Sequence, residues 1–103
     1  MNIFTNVKES LAEEEFLKLI STAHVAIERI VSTGHQSADG FWYDQDDNEW
    51  VLVLSGRGVI EDENGREIEL NRGDYLNIPA HHKHRVKETS PTEPTVWLAV
   101  HYS

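Results

Sequence analysis

From His24 to Tyr102 apolar and polar residues alternate in short β-rich runs, broken about every 8 to 12 positions by turn residues. A period of two puts successive side chains on opposite faces of a strand, so the chain is built to half-bury a series of short strands rather than helices. The runs fall at residues 24–31, 41–45, 50–54, 58–63, 66–70, 75–78, 84–88 and 95–102. Eight strands of this length suit a jelly-roll barrel, so the expected fold class is mostly β. Residues 50–54 are apolar at every position, which marks a central strand covered by the barrel interior on one face and by a partner sheet or subunit on the other.

Asn64-Gly65 lies between two strand-like arms, and a two-residue Asn-Gly loop is the strongest short hairpin signal because both positions need positive φ. The register this loop predicts sets Glu63 opposite Arg66 and Val59 opposite Leu70. Ahead of the β-rich region, residues 10–20 read as the one helix. Ser10 and Glu13 have capping-box spacing, acids crowd the first turn, and Leu11, Phe16, Leu17 and Ile20 give an apolar side to lay against the barrel. With 103 residues there is material for one core, giving a single domain in which residues 1–23 form an arm and helix and residues 24–102 the barrel.

Composition narrows the chemistry. A net charge of −9 repels phosphate backbones and anionic lipid heads, so neither nucleic acid nor membrane is an expected partner. No apolar run approaches the roughly 20 residues of a membrane span and the N-terminus has no signal-like segment, so the cytoplasm is the expected location. With no cysteine, any metal must be held by nitrogen and oxygen. Nucleotide-binding glycine loops, the Gly-x-Ser-x-Gly elbow and the His-Glu-x-x-His motif are all missing.

Two spacings stand together. Glu49 precedes Gly56 by seven positions, and Gly73 is followed by Pro79 and, five residues later, His84. Gly56 and Gly73 suit tight turns, and Pro79 suits a strand end because it has no amide to donate. In this pattern the chain resembles the cupins, whose two motifs run Gly-x5-His-x-His-x3/4-Glu-x6-Gly and Gly-x5-Pro-x-Gly-x2-His-x3-Asn. The resemblance covers residues 24–102 and is closest to small bacterial cupins.

In that family two histidines, the glutamate and the second-motif histidine hold a divalent metal at the barrel mouth. By resemblance Glu49 and His84 take two of these places. The two first-motif histidine positions fall on Tyr43 and Gln45, or with a longer spacer on Trp42 and Asp44. We prefer Tyr43 and Gln45, which share a strand face at period two. Glu88 replaces the second motif's asparagine, and His81 its inner glycine.

Two readings stand. In the first, Gln45, Glu49 and His84 hold zinc, iron, nickel or manganese, and Tyr43 donates a proton to or orients a small polar metabolite in an isomerase or oxygenase. In the second, Glu49 and His84 form a hydrogen-bonded pair in a noncatalytic, metal-free cupin that binds a small ligand or acts as a scaffold. His81, His82, Lys83, His84 and Arg85 form the one basic run. His82 and Arg85 are candidate anion ligands at the rim, with His35, on a loop leading to the Tyr43 strand, as a third ligand-binding residue. Arg85 next to an inward His84 points outward, so pairing with surface acids is the bland alternative. His24 and His101 read as half-exposed structural histidines, and Trp42, Trp50 and Trp97 as core or interface. Asp44, Asp46 and Asp47 lack the glycine and glutamate of a calcium loop. The resemblance also implies a homodimer.

Overall fold

A computed structural model describes residues 1–103. Eight strands form two sheets: β1 (Glu15–Ser21), β2 (Val25–Ser32), β3 (Asn48–Ser55), β4 (Arg57–Asp62), β5 (Glu67–Asn71), β6 (Tyr75–Ile78), β7 (His84–Thr89) and β8 (Thr95–Tyr102). One sheet runs β1-β2-β8-β3-β6 and the other β5-β4-β7, with every pairing antiparallel. This is the expected mostly-β, eight-stranded jelly roll, without the expected helix. No helix is long and apolar enough to cross a membrane.

The segment read as a helix is instead an edge strand. Ser10 caps nothing; β1 pairs with β2, setting Phe16 opposite Ile30 and Leu17 opposite Arg29. Helix propensity is a weak prior, and an unpaired β2 edge offers backbone donors and acceptors that a neighbouring strand satisfies. β2 is therefore internal, between β1 and β8. The expected strand at residues 41–45 is also absent as a strand. Only Tyr43 meets β7, exchanging both backbone hydrogen bonds with His84 (2.7 and 3.2 Å).

The hairpin register is shifted by one from expectation, with Gly58 opposite Leu70 and Val59 opposite Glu69. Asp62 is the cause. Its carboxylate accepts from the Asn64 and Arg66 amides, both at 3.0 Å, and its carbonyl accepts from Gly65. Residues 63–65 thus make a three-residue loop in which Gly65 (φ 80°) has positive φ and Asn64 does not.

Val51, Val53, Ile60, Leu70, Ile78 and Trp97 form the buried core between the sheets. Trp97 lies on Gly58, where a Cβ would come within 2.3 Å of the indole ring, and its Nε1 donates to Ser32 Oγ. β3, expected to be central, is internal between β8 and the edge strand β6, and β8 takes the middle of the sheet; Val51 and Val53 are buried inward, while Trp50, Leu52 and Leu54 are half-buried on the outer face.

Candidate functional site

The alternation of β3 that turns Val51 and Val53 inward also turns Glu49 inward, one step nearer the barrel mouth. Pro79 ends β6, the turn that follows carries the chain across to the second sheet, and His84 opens β7 facing back toward Glu49. A pocket of about 530 Å³, counting space open to solvent, lies beside them. Tyr43, Gln45, Glu49 and His84 all line it, over a floor that includes Val51, Ile60, Ile78, Val86 and Trp97.

His84 is 5% exposed. Its Nδ1 donates to the His82 carbonyl at 2.9 Å, so Nε2 faces the pocket, 3.2 Å from Glu49 Oε1. Burial works against charge on the ring, but the Glu49 hydrogen bond and the His82 carbonyl outweigh it and hold the His84 pKa above the ordinary imidazole value. The Tyr43 ring stacks on the imidazole, centroids 5.3 Å apart. Burial first, then Glu14, Glu49 and Glu28, raise the tyrosine pKa, so Tyr43 holds its proton as a hydrogen-bond donor.

His81 stands where the family pattern has a glycine and adopts a left-handed conformation, with φ 61°. Its amide donates to the Gln45 carbonyl at 2.8 Å, and its ring bonds Asp44 Oδ1 at 2.8 Å. The Asp44 hydrogen bond outweighs the small desolvation and raises the His81 pKa. The acidic turn of Asp44 and Asp46 thus has a structural partner, as Asp46 also lies 3.3 Å from His81 Nε2.

The other sequence candidates do not join the pocket. His35 accepts the Thr33 amide on Nδ1 and turns Nε2 to the Ala12 carbonyl. His82 faces Asp62 at 3.7 Å, beside Arg66, in an adjoining cleft that meets the pocket at Ile60, Ile78 and His84. Arg85 donates to the Ser37 carbonyl, lies 4.0 Å from both Glu61 and Asp39, and covers the Trp42 ring. These three make no common anion site, because period two sends Arg85 to the outer side of β7.

One site residue was misjudged from sequence. His101 lines the pocket, its Nε2 3.3 Å from Glu28 Oε1 and its Nδ1 3.9 Å from Asp47. On β8 it sits directly opposite Glu49. The available signal was the parity of β8: Trp97, Ala99 and His101 share a face, and an inward tryptophan implies an inward histidine.

For the metal that the resemblance implies, the protein offers one imidazole, one carboxylate and the Gln45 amide. No three His, Asp or Glu side chains converge here in metal-holding geometry. Glu49 and His84 satisfy each other, and a stacked Tyr43 stands where the family pattern has a histidine. The residues present do not make a closed site for a transition metal.

A family model described as "Cupin domain" matches residues 30–101. No curated protein matches the sequence. Among solved structures, a Ralstonia eutropha JMP134 protein described as a "putative mannose-6-phosphate isomerase" is 44% identical, with a TM-score of 0.96 over 100% of this chain and 96% of that one. A cupin superfamily protein from Desulfitobacterium hafniense DCB-2 is 18% identical, with a TM-score of 0.77 over 93% of this chain and 83% of its own. A Klebsiella pneumoniae protein with a double-stranded beta-helix domain is 18% identical, with a TM-score of 0.80 over 99% and 87%. The last two share the fold alone. With the family model spanning most of the barrel and a close structural relative matching the whole chain, the protein belongs to the cupin domain family.

Proposed function

We propose that this cupin binds a small polar metabolite at the barrel mouth and that the Glu49–His84 pair exchanges a proton with it. The observation that carries this reading is a charge-assisted hydrogen bond between two largely buried side chains at the wall of a pocket with an apolar floor. Such a pair is costly to bury for structure alone and supplies an acid and a base in one place. Tyr43 and Gln45 add a donor and an amide for orienting the ligand.

A thermal-shift screen of polar metabolites tests this. A true ligand at about 100 times its Kd adds roughly 2.7 kcal/mol of stability. The expected result is a shift in the wild type that is lost in Glu49→Gln and His84→Asn. A shift surviving in both variants overturns the reading.

A second reading assigns the same place to a divalent cation held loosely by Gln45, Glu49, His84 and water, in a metal-dependent isomerase or oxygenase. It is favoured by one observation, the His82 carbonyl orienting Nδ1 so that Nε2 points into the pocket, as outer partners do for metal-binding histidines. Metal analysis after reconstitution with zinc, iron, nickel and manganese separates the two. Less than about a tenth of an equivalent retained rejects the metal.

We further propose a homodimer formed through the outer face of the larger sheet. Since Glu49 and His101 face inward, Trp50, Leu52, Leu98, Val100 and Ile27 share the opposite face. On a chain of net charge −9 this apolar sheet is the surface on which a second copy can dock without charge repulsion.

A further inference from the structure

The pocket holds a second acid–histidine pair, Glu28–His101, on the wall opposite His84. Glu28 comes from β2 and His101 from β8, and both side chains are mostly buried, at 19% and 14% exposure. Neither is needed by the Glu49–His84 pair. Because His101 stands across the ladder from Glu49, the two pairs border one continuous polar band around the mouth.

The charges of that band are one-sided. Glu14, Glu28 and Glu49 all line the pocket, and no lysine or arginine does. Glu14 already accepts from Ser32 Oγ. Even with both imidazoles protonated, three carboxylates leave the lining net negative. A phosphomonoester carries about −1.5 to −2 charge at neutral pH and needs several cationic donors, whereas both imidazoles here are already paired to carboxylates and only the Gln45 amide and the Tyr43 hydroxyl are left to donate. An ammonium group meets the carboxylates of Glu14, Glu28 and Glu49 along the larger sheet.

We propose that Glu28–His101 is the second wall of the ligand site, and that the pocket selects a small organic amine and rejects phosphorylated and carboxylated ligands. The inference rests on the mouth being a ligand site, as proposed above. It departs from what the description of the Ralstonia relative would suggest, since a sugar phosphate would meet three carboxylates and no lysine or arginine in this lining.

Imidazole NMR signals of His84 and His101 report occupancy directly. Wild-type protein is titrated with n-butylamine, n-butanol, n-butyrate and n-butyl phosphate, probes that share a chain and differ in the head group. The expected outcome is saturable movement of both signals by the amine, weaker movement by the alcohol, and none by the two anions. Glu28→Gln keeps the shape and removes one charge, so amine affinity should fall about tenfold or more, while Glu88→Gln on the outer surface leaves it unchanged. Binding of either anion as tightly as the amine overturns this inference alone. If no probe moves either histidine, the ligand-site reading falls with it.

Discussion

The His84 imidazole and the Glu49 carboxylate, 3.2 Å apart, belong to different sheets and are the polar clasp between them at the barrel mouth. His84 binds its proton more tightly folded than unfolded. The resulting stabilisation is fully present below the unfolded value of about 6.5 and is lost as pH rises through the raised folded value. The stability gap between wild type and Glu49→Gln should therefore narrow on going from about pH 6 to about pH 9. Denaturation at several pH values, with an NMR titration of His84 that moves down in Glu49→Gln, checks this. A gap independent of pH would show the ring to be neutral throughout.

Replacing His84 with alanine leaves Glu49 buried without its partner. The cost should be roughly 1–3 kcal/mol, and it should exceed that of Glu49→Gln, which keeps a hydrogen-bonding group facing the ring. Urea unfolding of the two variants decides it.

Gly58 is fixed by Trp97 rather than by its own backbone. A methyl group there meets the indole at 2.3 Å in the middle of the core, so Gly58→Ala should cost about 1–3 kcal/mol. Pairing it with Trp97→Phe should recover part of that loss, a coupling that a double-mutant cycle measures.

At the β4–β5 hairpin, Gly65→Ala should destabilise by about 1 kcal/mol, because Gly65 alone in this loop is left-handed. Asn64→Ala should be nearly neutral. A two-residue Asn-Gly turn would instead make both substitutions costly, so the pair of measurements identifies the loop.

Light scattering of the wild type at tens of micromolar should give the mass of two chains, and Leu52→Asp on the outer sheet face should shift it to one. A monomeric wild type would count against the dimer.

Much of this was legible in the sequence because strand parity is a local property. Seven of the strand runs fold where alternation put them, and the same parity brings Glu49 and His84 into one pocket with Tyr43 and Gln45. What escaped was set by partners distant in sequence. The apolar residues of β1 fit either a helix or a strand, and only the waiting edge of β2 decides between them. Asp62 captured the hairpin by bonding two amides, an effect that Asn-Gly propensity does not contain. His101 gained its role from Glu28, which lies 73 positions away.

Tyr43 touches β7 through a single bridge, and Ser37 meets the same strand near Val86, where an eighth ladder was expected. The free side of β7 is thus bordered by a connection that carries Tyr43 and Gln45 on few backbone bonds, while Glu49 and His84 sit in regular strands. Tyr43 and Gln45 are thereby mounted apart from the strands that hold Glu49 and His84. On the ligand-site reading, residues 33–47 other than Tyr43, which stacks on His84, are the natural place to engineer new ligand preferences.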